Sequence, residues 1–345
     1  MVMYSALVTA DLHLNDNARD SYRHDFMKEQ LLKYIRQYNP RYLIILGDLT
    51  DEKDRHCAEL VNAVVNYLYT LASIVREVII LRGNHDCLDP TQPFFEFVHR
   101  IPKITWITNP TVKSYEELGT CTFLPHTRNY EKDWAKIDFS PYQRDPNCGW
   151  IFCHNCFEGA ISESGRHLGG IPTDIFPGSA RVLSGDIHVP QKVGPVTYVG
   201  APYTMRFGDN YTPRVRLLTK NKNKLHMDSQ ICKGTQKRLI EIKNLNKLDQ
   251  HIEEFAEGDL LKLRVHLKSE EYPKWNEIKA KLLEWADEHG GLLCEVQPVK
   301  QARSIRLNRK AVSTRSDVEL LQTYVKRKGI ASSVLKTGLW LMEKA

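Results

Sequence analysis

Five short clusters of chemistry-bearing residues recur along this 345-residue chain: Asp11-Leu12-His13, Gly47-Asp48, Gly83-Asn84-His85-Asp86, His154, and Gly185-Asp186-Ile187-His188. Carboxylate, imidazole and amide oxygen are borderline-to-hard ligands that suit Mn²⁺, Mg²⁺ or Fe²⁺, whereas thiolates would select Zn²⁺. Two such ions held roughly 3.5–4 Å apart can polarise a phosphoryl oxygen and share a deprotonated water for in-line attack. One carboxylate should lie between the ions, and Asp48 is placed for that. A lone Asp-x-His or Gly-Asp is noise, and Gly-Asn-His-Asp alone could be a tight polar turn. All five in order, each behind an apolar run, point to a metal site.

The elements that must position these groups are legible from hydrophobic patterning. Strands are predicted at Tyr4–Thr9, Tyr42–Leu46, Val78–Leu81, Cys121–Leu124, Trp150–Cys153, Arg181–Leu183 and Val196–Val199. Helices are predicted over Phe26–Tyr38, stopped by Pro40, and around Leu60, Val64, Leu68 and Leu71. This alternation is the signature of an α/β layered fold. In such folds the strand C-termini converge on a ligand crevice, and side chains there are held rigidly. The glycines before Asp48, Asn84 and Asp186 are expected to let the chain turn sharply. Past Gly208, Arg214–Leu218 and Lys220–Lys224 read as a hairpin edge and turn. A β-α-β-α-β series follows: Arg238–Ile242, Lys247–Phe255, Leu261–Leu267, Lys274–Glu288 and Leu292–Gln297. A capping box, Ser316 with Glu319, opens a short helix through Leu321 and Val325; Gly329 breaks it, and Val334–Met342 forms another.

The length suggests two domains with an appendage, and a hydrophobic fraction of 42% supplies a core. No apolar run approaches the roughly 20 residues needed to span a bilayer, and Met1–Ala10 carries no signal pattern. A soluble, cytoplasmic protein without a membrane partner is the expectation. Eight irregularly spaced cysteines favour reduced thiols over a disulfide framework. Cys153 and Cys156 form a Cys-x-x-Cys without a second pair nearby, and two buried strand-end thiols is the plain reading. The net charge of +6 permits an anionic partner. Its excess gathers late: bases from Arg303 to Lys344 face only Asp317, Glu319 and Glu343.

The clusters Asp11/His13, Asp48, Asn84-His85-Asp86, His154 and Asp186-Ile187-His188 resemble the calcineurin-like metallophosphoesterase superfamily over roughly Val2–Leu218. More narrowly, the chain is similar to nuclease subunits of the Mre11/SbcD family, phage recombination versions included. Tyr198-Val199-Gly200-Ala201-Pro202-Tyr203 and Arg206-Phe207-Gly208-Asp209 carry that likeness, with the size of the second domain and the helical tail. The resemblance implies an α/β, four-layer αββα sandwich over 1–234, a small α+β capping domain over 235–300, and a helical tail over 301–345.

It also implies two Mn²⁺ ions, with Mg²⁺ or Fe²⁺ as alternatives. Asp11, His13, Asp48 and His188 would hold the first; Asp48, Asn84, His154 and Asp186 would hold the second. His85 would protonate the leaving oxygen or stabilise the pentavalent phosphorus, with Asp86 orienting its ring. The implied function is a Mn-dependent DNA nuclease, 3′→5′ exonuclease and endonuclease, in a DNA end-processing complex. Its tail would grip an SMC-like Rad50/SbcC-type ATPase, since two short amphipathic helices cannot bury their apolar faces on each other completely. A second copy of the chain is a further candidate partner.

One departure from the family pattern is Asp186, where Gly-His-x-His is usual; it shortens the ligand's reach and adds negative charge. Gly47-Asp48-Leu49-Thr50-Asp51-Glu52 lacks the Arg of the Gly-Asp-x-x-Asp-Arg-Gly pattern, which argues against a Ser/Thr protein phosphatase. Two rival readings share the fold: a small-molecule or cyclic-nucleotide phosphodiesterase, and a non-catalytic scaffold. His126, Arg128 and His167 could approach substrate phosphate or be solvated loop residues. Tyr203 and Arg206 could contact DNA or pack against the site, and Lys220–Lys224 could contact phosphate or be an exposed turn.

Overall fold

The computed structural model describes residues 4–222, 224–300, 325, 334–337 and 339. Among the described residues there are two six-stranded sheets and one three-stranded sheet. The strands of the first region are β1 (Ala6–Thr9), β2 (Tyr42–Leu46), β3 (Glu77–Leu81), β4 (Ile104–Ile107), β5 (Thr111–Tyr115) and β6 (Gly119–Leu124). They continue with β7 (Gly149–His154), β8 (Val182–Gly185), β9 (Gln191–Val193), β10 (Val196–Tyr198), β11 (Arg214–Asn221) and β12 (Lys224–Ile231). The first sheet runs β12-β11-β1-β2-β3-β4, and the second runs β5-β6-β7-β8-β10-β9. Within them β1 to β4 are mutually parallel, as are β6, β7, β8 and β10.

Parallel strands covered on both faces need uninterrupted apolar runs rather than alternation. The sequences Tyr-Leu-Ile-Ile-Leu in β2 and Glu-Val-Ile-Ile-Leu in β3 meet that need, and β2 is buried throughout. One set of side chains, including Val8, Ile44, Ile79, Phe123, Phe152 and Leu183, fills the space between the two sheets. The alternate set, including Leu7, Leu43, Ile45 and Ile80, packs on the helices Leu31–Tyr38 and Ala58–Ile74 through Leu31, Ile35, Leu60, Val64 and Leu68. Each fully buried aliphatic side chain contributes roughly 1.5–3 kcal/mol over exposure. The outer face of the second sheet is covered by Trp134, Tyr142, Phe157 and Phe176, on short helical turns and loops. The four-layer α/β sandwich is therefore present, with one outer layer thinner than the other.

Up to Lys300 the expected strands and helices occur, and β4, β5, β9 and β12 are additional. β5, whose residues alternate in burial at the rim of the second sheet, lacks the apolar run that marks a central strand. The helix expected from Phe26 begins earlier, at Ser21, and widens by one residue per turn over Phe26–Gln30. Asn39, at φ +44°, ends it.

The third sheet comprises β13 (Lys237–Ile242), β14 (Leu260–Leu267) and β15 (Leu292–Lys300), all parallel. The helical segments Leu245–Glu254 and Trp275–Glu288 connect them. Leu261, Leu263, Val265 and Leu267 alternate inward against Leu282, Trp285 and Ala286, giving this sheet its own core. It is tied to the first region by Lys237 Nζ–Asp20 Oδ1 at 2.5 Å and by Thr204 N donating to Gln236 Oε1 at 2.8 Å.

The tail helices expected at Ser316–Val325 and Val334–Met342 lie largely outside the described residues. Val325, Val334–Thr337 and Leu339 are helical, and Val325 is buried within the chain itself. No helix among the described residues is long and apolar enough to cross a membrane.

Candidate metal centre

The loops that leave β1, β2, β3, β7 and β8 bring the five sequence clusters to one place. Asp11, His13 and His188 place ligand atoms within 4.8 Å of one another, as do His13, Asp48 and His85, and also Asp11, Asp48 and His154. Asp48 lies between two imidazoles, with Oδ2 3.4 Å from His13 Nε2 and Oδ1 3.4 Å from His154 Nε2. Asn84 Oδ1 is 2.9 Å from His154 Nε2. Asp186 is the outlying member, its Oδ1 3.9 Å from His154 Nε2.

This arrangement is held in a strained backbone. Asp11, His13, Asp48 and Asp186 adopt φ of +54°, +41°, +56° and +81°. Left-handed backbone outside glycine costs on the order of 1–3 kcal/mol per residue and persists only where surroundings over-determine it. Here the first two strand-end loops are laced together. Asp11 N donates to Gly47 O at 3.2 Å, His13 N to Asp48 O at 2.9 Å, and Leu14 N to Leu49 O at 2.9 Å. Asp186 N in turn donates to Asp11 Oδ1 at 2.9 Å.

Of the three motif glycines, only Gly47, at φ +81°, makes the expected sharp turn. Gly83 and Gly185 serve close approach instead. A Cβ on Gly83 would lie 2.7 Å from Asp48 N, and one on Gly185 would lie 2.7 Å from His154 Nδ1.

The role expected of Asp86 is corrected by its contacts. Its carboxylate accepts from the amides of Asp48 (2.9 Å), Leu49 (3.0 Å) and Gly83 (2.6 Å), so it braces the Asp48 loop. The His85 ring is oriented by the Asp51 carbonyl, 2.6 Å from Nδ1. Asp86 makes its hydrogen bonds to these three backbone amides rather than to the imidazole.

Three positioning residues were not anticipated. Asp51 Oδ1 stands 3.0 Å from His13 Nδ1, and its Oδ2 pairs with Arg23 at 2.8 Å. The buried Arg23 also reaches the His13 carbonyl at 2.5 Å and Asp20 at 3.1 Å. Glu163 Oε1 lies 2.7 Å from His188 Nδ1. A carboxylate behind an imidazole fixes its tautomer and raises its basicity. Asp51 carried a sequence signal, three residues after Asp48 in the same strand-end loop. Glu163 and Arg23 carried none, since their partners are distant in the chain.

The electrostatics follow from burial against mutual attraction. Burial raises Asp48, but the His154 and His13 imidazoles outweigh it and hold it below the usual carboxylate range. Burial pushes Asp186 up to about 6, and the neighbouring carboxylates Asp48 and Asp11 add to the rise. His154 is raised well above its ordinary value although burial opposes this, because Asp48, Asp11 and Asp186 surround it. The hydrogen bond from His188 brings Glu163 down to about 2. Such a cluster holds protons that a divalent ion would displace.

The calcineurin-like phosphoesterase family matches this sequence over residues 4–190. The chain belongs to that family. Among curated proteins no relative matches. Similar solved structures include the nuclease MPE of Pseudomonas putida, at 16% identity and TM-score 0.30, covering 66% of this chain and 72% of that one. Another is Yfce, a phosphoesterase from E. coli, at 14% identity and TM-score 0.32, covering 66% and 99%. At those scores neither likeness bears on this phosphoesterase's substrate, and the assignment rests on the family match.

The residues fit the family's dinuclear metal site. Asp11 Oδ2 is buried without a hydrogen-bond partner. His13 Nε2 and His188 Nε2 lie 3.2 Å apart. Asn84 turns its oxygen toward Asp48 and His154, where the reversed amide would donate to Asp48 Oδ2 at 2.9 Å. Lone pairs facing one another in a buried site are the arrangement a cation satisfies. Asp11, His13, Asp48 and His188 would hold one ion, and Asp48, Asn84, His154 and Asp186 the other. Such ions supply Lewis acidity and lower the pKa of bound water. The chain's own part is to hold the donors rigid and to present the half-buried His85 imidazole over them. The longer reach to Asp186 makes the second set the looser one.

Among the other candidates, His126 lines a cleft beside Asn84, its Nδ1 3.3 Å from the His154 carbonyl, and burial lowers it to about 4. His167 is exposed. Tyr203 is buried with its hydroxyl on the Leu12 carbonyl, so it packs beneath the first metal loop, and Arg206 is exposed. Cys153 is buried and Cys156 half-buried, both free thiols.

Proposed function

We propose that this phosphoesterase is a metal-dependent DNA nuclease, cutting phosphodiesters with Mn²⁺ as the subunit of an SbcCD-like end-processing complex. The observation that carries hydrolysis is the convergence of Asp11, His13, Asp48, Asn84, His154 and His188 on one strained, buried centre with His85 beside it. DNA as substrate is supported by two features that a small-molecule diesterase does not need. One is the additional three-stranded unit at about 235–300, joined to the Asp20 loop next to the site. The other is the basic excess from Arg303 onward. In this reading the additional unit positions DNA, and the tail docks on an SMC-like ATPase.

The test compares nicking of supercoiled plasmid with hydrolysis of bis(4-nitrophenyl) phosphate in Mn²⁺, by the wild-type protein. Plasmid nicking abolished by chelation supports the nuclease reading. Hydrolysis of the chromogenic diester with no nicking would favour a small-molecule diesterase, and neither activity would favour a scaffold.

A further inference from the structure

Beside the metal centre lies a cleft of about 580 Å³, within the roughly 300–1,000 Å³ range of ligand clefts. Asn84 and His126 form its inner wall, which joins the cleft directly to the second ligand set. Lys53, Arg128 and Lys132 line its outer part. Lys53 comes from the β2 loop; Arg128 and Lys132 come from the chain after β6. Among the described residues these three cations form no salt bridge. The acid of the lining, Asp133, already accepts from Thr127 Oγ1 at 2.5 Å. Arg82 is buried and directs its guanidinium at the carbonyls of His126 (2.8 Å) and Thr108, so it builds the floor. Leu88, 71% exposed, stands at the rim as an apolar surface.

Unpaired cations beside a phosphoester-cleaving centre recognise further phosphates, and they need a substrate longer than one phosphodiester to meet them. We propose that this cleft holds the single polynucleotide strand continuing past the scissile phosphate. Lys53, Arg128 and Lys132 neutralise its flanking phosphates, and a base lies against Leu88. The cleft is pocket-sized and walled on two sides, so it takes one strand rather than a duplex. The inference rests on the nuclease reading and narrows its substrate to DNA with an unpaired strand at the cut.

The test uses the full chain in Mn²⁺ with two substrates, a labelled ten-nucleotide single strand and bis(4-nitrophenyl) phosphate. Combined Lys53→Ala, Arg128→Ala and Lys132→Ala should lower kcat/KM for the strand relative to the small diester by roughly tenfold, through KM. The slope of log KM against log salt should flatten by about 2, at roughly 0.7 for each single-strand phosphate that no longer meets a cation. Arg128→Glu alone, at an exposed position tolerant of substitution, should move both readouts in the same direction. An unchanged ratio and slope in both variants would overturn the cleft assignment while leaving the nuclease reading intact. A wild-type protein that hydrolyses the small diester and nicks plasmid but never cuts the strand would likewise overturn the cleft assignment alone, whereas one that hydrolyses the small diester and cuts neither DNA would sink both.

Discussion

The strand-end loops of the first region and the three-stranded unit after Lys237 are built to opposite specifications. Around the metal centre the strands are buried on both faces, and four candidate ligands hold left-handed backbone. From Lys237 to Lys300 no described residue other than glycine has positive φ, and β14 alternates strictly between a buried and a partly exposed face. The open face is laced with Lys262–Glu295 (2.9 Å), Arg264–Glu241 (3.2 Å) and His266–Glu241 (2.6 Å). One region stores strain and unpaired lone pairs in a largely buried centre; the other neutralises its charges locally in partly exposed positions. Strain of that kind survives where a rigid scaffold holds it, and it marks the part of the chain that chemistry has shaped. The two regions meet through Lys237, Asp20, Arg23 and Asp51, a continuous polar chain ending on His13.

The sharpest break in this contrast is Asp48→Asn. Asparagine tolerates the left-handed φ, so the fold should persist while the central carboxylate is lost. Metal content by mass spectrometry should fall below one ion per chain, and diester hydrolysis by roughly 10³-fold or more. Two retained ions would refute the bridging role.

His85→Gln should lower hydrolysis by roughly 10²–10⁴-fold with metal content unchanged, because its contribution lies in proton transfer rather than in binding. Loss of metal in that variant would recast His85 as a ligand.

Arg23→Met tests the polar chain between the regions. It strands Asp20 and Asp51 near the core, at a cost on the order of 3–5 kcal/mol in stability, seen in urea unfolding. Metal affinity should weaken by roughly 10–100-fold as His13 loses its support. Lys237→Met, at the far end of the chain, should cost less stability and change metal affinity less than Arg23→Met. Equal effects on affinity would mean that the three-stranded unit acts on the centre directly.

The smallest effect belongs to the open face of the third sheet. Glu241→Gln loosens two partly exposed pairs and should shift unfolding by about 1 kcal/mol or less, with hydrolysis unaltered. A large loss of activity there would erase the distinction between the regions.

The amino-acid sequence by itself determined the layered α/β order, the positions of the buried central strands and the ligand clusters. Apolar runs of five residues followed by Gly, Asp or His are local patterns, and local patterns survive in one dimension. It also carried the alternation of β14 and the helical period of Trp275–Glu288. Only the tertiary structure decided which atoms support the ligands. Asp86 sits next to His85 in the chain yet turns to the amides of Asp48 and Gly83, while the Asp51 carbonyl takes the His85 ring. Glu163 behind His188 and Arg23 behind Asp51 are partners across 25 and 28 positions that no period announces. The reason is physical. A buried polar atom must find whichever donor or acceptor the packed strands bring within about 3 Å, and sequence distance does not enter that choice.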